Sequence, residues 1–223
     1  MFQGRWKWCV VLAVLLVFIF LNRKLSQSVT SEDINETEIV VIDAGHGGGD
    51  PGKIGINNAL EKDINLQIAK KVKENLEKQN VTVIMTREDD TAEDNKTADL
   101  KKRVSLINKE KPAIAVSIHQ NSYSQEAIKG AQVFYYEQSE KGKEAALLMQ
   151  EELKQIDSEN TREAKGNDTY YLLKKTEVPT IIVECGFLSN TQEADKLIDE
   201  TYQKELANAI CDGIIKWLKQ RRS

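Results

Sequence analysis

The chain has 223 residues, with 31 Lys and Arg against 35 Asp and Glu (net charge −4), 40% hydrophobic residues and only 3 Pro. This composition excludes a disordered, collagen-like or low-complexity chain and fits one globular domain with an appendage. The mild negative charge argues against a nucleic-acid binder, and three cysteines, one of them (Cys9) in an apolar run, cannot build a disulfide framework.

Arg5 and Lys7 precede an unbroken apolar stretch from Trp8 to Leu21, and Arg23 and Lys24 follow it. A positive start and a short apolar run read as an export signal. The run is shorter than the ~20 residues of a usual spanning helix, although tilt, Trp6 and the basic flanks extend its reach. Ser26-Gln27-Ser28 is the cleavage candidate, and Arg23 and Lys24 directly after the run disfavour cutting there. Residues 1–24 are therefore expected to be a signal peptide or a membrane anchor through residues 8–21. Either way the rest of the chain would be exported. The polar, aperiodic residues 25–37 read as a linker, and residues 38–220 as the folded domain.

From there the chain alternates. Ile39 to Ile42, Val81 to Met85, Ala113 to Ile118, Val133 to Tyr136 and Thr180 to Val183 are short apolar runs expected of strands. Between them, Ile64, Ile68, Val72 and Leu76 mark one helical stripe, and Leu100, Val104 and Ile107 a second. Helices are also predicted over about residues 141–156 and up to Trp217. The alternation predicts a single α/β domain: a twisted, mostly parallel or mixed sheet with helices on both faces.

The chain's two histidines both end predicted strands. His46 lies in Asp43-Ala44-Gly45-His46-Gly47-Gly48-Gly49-Asp50, which is neither a G-x-G-x-x-G opening a helix nor a P-loop. His119 lies in Ser117-Ile118-His119-Gln120-Asn121. Ligands of open α/β sheets bind outside the carboxyl ends of the strands, so both imidazoles address one rim. Imidazole is a common zinc ligand, and a catalytic zinc takes three protein ligands. Glu61 is a third-ligand candidate, with Asp63 its rival, although a carboxylate in a first helical turn also simply complements the helix dipole. Glu184 ends another apolar strand, where an ionisable group is costly unless paired or functional. Its neighbour Cys185 raises a Cys–His nucleophile pair, but successive strand residues face opposite sides, so only one of the two can address the rim.

His46 in D-A-G-H-G-G, Glu61 in L-E-K-D-I-N, His119 in S-I-H-Q-N and Glu184 in V-E-C-G-F-L-S-N stand in this order, with Thr86-Arg87 and Leu100 to Arg103 between them. Over about residues 38–218 the chain resembles the zinc-dependent N-acetylmuramoyl-L-alanine amidases of the amidase-3 type. The resemblance implies a zinc-exopeptidase-like fold and a peptidoglycan hydrolase. Its cut would fall on the amide between the lactyl group of N-acetylmuramic acid and the L-alanine of the stem peptide. It further implies His46, Glu61 and His119 as Zn2+ ligands, which selects Glu61 over Asp63, and Glu184 as the catalytic glutamate. Asp43 or a backbone carbonyl is expected to orient a ligand imidazole, and Arg87 and Arg103 are candidate oxyanion donors.

Neither a wall-binding repeat nor an insertion between His119 and Gly130 is recognisable, and the short form looks most like the germination-specific, spore-cortex members that act in making muramic lactam. Without a wall-binding module, targeting would fall to the membrane tether or to an activating protein partner. Two other readings stand beside this one: a membrane-tethered wall-binding protein without activity, and a zinc exopeptidase acting on peptides.

Overall fold

The computed structural model describes residues 38–93 and 95–222. The expected signal or anchor (1–24) and linker (25–37) lie outside the described residues. Six strands make one sheet: β1 (Ile39–Ala44), β2 (Thr82–Met85), β3 (Ile114–Asn121), β4 (Gln132–Tyr136), β5 (Lys165–Asn167) and β6 (Thr180–Phe187). Their order is β2-β1-β3-β6-β4-β5. β2, β1, β3 and β6 run parallel; β4 is antiparallel to β6, and β5 follows β4 in parallel. The helices are α1 (Glu61–Glu77), α2 (Lys96–Glu110), α3 (Glu140–Ile156), α4 (Tyr171–Lys175), α5 (Thr191–Leu197) and α6 (Glu200–Gln220). The mixed α/β sheet is the one expected from the sequence. β5, α4 and α5 were not foreseen, because three to seven residues are too few to display a period.

The two faces of the sheet differ in chemistry. Val40, Ile42 and Ala44 of β1, Ile114, Val116 and Ile118 of β3, and Ile181, Val183 and Cys185 of β6 join the main core with residues of α1, α3 and α6. Fully burying such aliphatic side chains contributes about 1.5–3 kcal/mol each, so this layer dominates stability. On the opposite face Val41, Ala115, Ile107 and Leu172 form a smaller cluster. Period-2 alternation then brings Asp43, Ser117, His119 and Glu184 to that second face at the carboxyl ends of β1, β3 and β6. The register seats Asp43 beside Ser117 and His119 beside Glu184. Among the described residues no helix is long and apolar enough to cross a membrane.

Candidate metal centre

β1 ends at Ala44 and the chain continues through Gly45 to His46, whose φ of 60° lies in the left-handed region. Gly47 and Asp50 close this loop by exchanging two backbone hydrogen bonds of 3.1 and 3.0 Å. The His46 ring then turns inward: its Nε2 lies 3.2 Å from Glu61 Oε1, and its Nδ1 lies 2.9 Å from Asp50 Oδ2. His119, from β3, brings its Nδ1 to 2.9 Å from the same Glu61 oxygen. The two rings meet edge to face at 5.0 Å. One ligand atom from each of His46, Glu61 and His119 lies within 4.8 Å of the other two, a grouping able to hold a metal ion.

Glu61 opens α1 and is buried. Its Oε2 accepts the Lys53 N–H at 2.7 Å and its Oε1 the Gln120 N–H at 3.1 Å. Burial opposes its ionisation, but the hydrogen bonds from His119 and His46 hold the carboxyl well below the usual range. The same bond raises the His119 pKa against the effect of burial. Two glycines make the approach feasible. A Cβ on Gly45 would lie 2.2 Å from His119 Cε1, and one on Gly52 (φ +67°) would lie 2.6 Å from Glu61 Oε2. The rival Asp63 is exposed and stands outside the cluster.

Glu184 faces the same cavity, 8% exposed, and its Oε2 is buried without a hydrogen-bond partner. Burial pushes its carboxyl up to about 7, against the pull of His119. Cys185 is on the other face, fully buried in the main core, and burial moves its thiol well up. A Cys–His nucleophile pair is therefore excluded by strand alternation. The cavity, about 360 Å³, is lined by His46, Glu61, His119 and Glu184 together with Lys53 and Lys96 at its mouth, within the size range of small-ligand sites.

The supporting residues correct part of the sequence reading. Asp43 does not hold an imidazole; its carboxylate bonds Arg103 (2.7 Å), Thr86 (2.6 Å) and Ser117. Burial alone would raise its pKa, but Arg103 and the two hydroxyls bring it down to about 2. Arg103 also donates to Asp99 and to the carbonyls of Ala44 and His46, all at 2.6–2.7 Å. Arg87 donates to the carbonyls of Ala44, Gly45, Lys62 and Asp89. Both arginines are thus engaged in fixing the loop that carries His46. Asp50 and Gln120 lie within the motifs, and the sequence alone assigns neither a role. The i to i+4 spacing of Asp50 from His46 was the available signal, and Gln120 reaches Glu61 through its backbone, which no sequence pattern reveals.

Comparison with known proteins gives concordant results. The family model for N-acetylmuramoyl-L-alanine amidase matches residues 40–216. A germination-specific N-acetylmuramoyl-L-alanine amidase of Bacillus subtilis is 36% identical over 193 residues, covering 82% of this chain and 81% of the relative. Among solved structures, the CwlD amidase from Clostridioides difficile, in complex with the GerS lipoprotein, is 41% identical with a TM-score of 0.79, covering 82% of this chain and 99% of that one. The catalytic domain of CwlV, an N-acetylmuramoyl-L-alanine amidase from Bacillus (Paenibacillus) polymyxa var. colistinus, is 34% identical with a TM-score of 0.74, covering 82% and 98%.

Proposed function

Because the chain belongs to the N-acetylmuramoyl-L-alanine amidase family and is a peptidoglycan amidase, we propose that it works with zinc held by His46, Glu61 and His119, with Glu184 as general base. The observation that carries this reading is the convergence of three ligand atoms within 4.8 Å beside a buried carboxylate oxygen that has no partner. Two imidazoles and one carboxylate are a donor set that suits a catalytic zinc and leaves room for a water. The unpartnered Glu184 Oε2 fits a group that awaits a water and substrate.

Zinc bound there supplies Lewis-acid polarisation of the scissile carbonyl and lowers the pKa of a water to about 7. Glu184 takes the proton of the attacking water and delivers it to the departing alanine nitrogen. Its desolvated setting raises its affinity for that proton toward neutrality, where such a shuttle is most effective. The Lys53 and Gln120 backbone N–H groups hold the Glu61 carboxylate in one orientation. Gly45 and Gly52 keep the ligands free to converge.

The same proposal gives the protein an extracytoplasmic place, with residues 1–24 as signal or anchor and 25–37 as linker. Its role would be cortex maturation through muramic lactam, supported by the germination-specific relative. The related amidase solved with a lipoprotein supports a protein partner. Mass spectrometry of digested peptidoglycan tests the reaction: free stem peptides beginning with L-alanine are expected. Peptides trimmed from a terminus would indicate an exopeptidase, and an intact wall a binding protein. Glu184→Gln should keep the zinc and lose roughly 10²–10⁴ in turnover.

A further inference from the structure

Resting on the zinc reading above, we propose that Asp50 is a positioning residue, whose carboxylate fixes the tautomer and ring orientation of His46 and thereby sets how tightly the ion is held. Asp50 Oδ2 lies 2.9 Å from His46 Nδ1 while the other ring nitrogen lies 3.2 Å from Glu61 Oε1. A neutral imidazole carries one N–H. A carboxylate accepts only, so Asp50 favours that proton on Nδ1, against the competing pull of Glu61 on Nε2, and with it the tautomer whose Nε2 lone pair faces the cluster.

Asp50 is itself held on three sides. Its Oδ1 accepts the Gly52 N–H at 3.1 Å, and its backbone N–H and C=O both bond Gly47. The backbone bonds and the side-chain bond close the segment from His46 to Asp50 into a ring, and His46 sits in that ring at φ 60°. A histidine in the left-handed region carries strain, and it persists where its surroundings over-determine it. The carboxylate bond is one of those determinants.

His119 is oriented differently. It presents Nδ1 to Glu61, and its Nε2 edge lies against Gly45, where a Cβ would stand 2.3 Å away. Among the described residues no carboxylate bonds that second nitrogen. Packing places His119, whereas a hydrogen bond places His46. Lys96 Nζ lies 3.4 Å from the same Asp50 oxygen, but its side chain is 68% exposed and the pair is screened by solvent.

An aspartate that only forms the turn would weaken zinc through the loop but would not set the His46 tautomer, so the test reads both quantities. Zinc dissociation constants are measured on the full-length chain and on Asp50→Ala and Asp50→Asn by competition with a chromophoric chelator. Long-range ¹⁵N–¹H spectra of the metal-free proteins at about pH 8 read the ring tautomers, with only two imidazoles to assign. Thermal melting of the metal-free proteins monitors folding. Expected are a 10–100-fold weaker zinc affinity in both variants, the scale known for such outer partners, and a shift of the His46 proton from Nδ1 toward Nε2, where Glu61 accepts it. Asparagine is the sharper probe, because its amide can donate to Nδ1 and drive the proton to Nε2. If the parent protein binds zinc and both variants bind it within about twofold, or if His46 stays Nδ1–H in both, the Asp50 proposal is overturned while the zinc reading stands. A parent protein that binds no zinc overturns that reading and the affinity role, and the tautomer spectra of the metal-free proteins then decide the orientation role alone.

Discussion

Glu184→Gln should change the pH dependence of stability as well as the reaction. In the metal-free protein the Glu184 carboxyl is displaced from 4.5 to about 7 by burial. The folded state then binds this proton more tightly than the unfolded chain does. Stability from this group is fully present below pH 4.5 and is lost as the pH rises toward 7. The 2.5-unit displacement corresponds to about 3 kcal/mol. For a domain of this size each kcal/mol moves the melting temperature by about 2–4 °C. Glutamine does not titrate, so the variant is spared this loss. Melting wild type and variant in EDTA across this range, the difference Tm(variant) minus Tm(wild type) should widen by roughly 10 °C between pH 4.5 and about 8. His119, whose pKa is also raised, titrates with the same sign in both proteins and largely cancels. Zinc should reduce the widening, since a nearby cation favours the carboxylate. A difference that stays constant to within about 3 °C would refute the claim that this carboxyl is desolvated.

Three further outcomes are expected. Gly45→Ala drives a Cβ to 2.2 Å from the His119 ring; zinc content by atomic absorption should collapse while circular dichroism shows a folded protein. Arg103→Met leaves the buried Asp43 charge without its cation, so urea denaturation at neutral pH should show a loss of about 3–5 kcal/mol. In the parent Asp43 stabilises the fold above pH 3.8 and loses this effect as the pH falls through about 2, whereas without Arg103 burial raises the same carboxyl, so the variant's deficit should shrink as the pH falls. Cys185→Ala, on the face away from the cavity, should retain most of its wall-digesting activity; an inactive but folded variant would reopen a thiol mechanism.

The sequence by itself determined the longer elements and their chemistry. Continuous apolar runs and 3.6-residue stripes revealed the strands and long helices, because burial on one face imposes those periods on the residues themselves. Strand alternation alone separates Glu184 from Cys185. The four motifs named His46, Glu61, His119 and Glu184 through resemblance, yet spacing alone left Glu61 and Asp63 equal. Only the tertiary structure decided what lies between the motifs. It made Asp43, Arg87 and Arg103 a clamp on the His46 loop. It gave Asp50 the imidazole, and it assigned the Glu61 oxygens to the backbone of Lys53 and Gln120. These contacts join groups up to 60 positions apart, and several run through main-chain atoms that every residue shares. A local pattern records what a residue buries or exposes; it does not record which distant donor the folded chain brings to it.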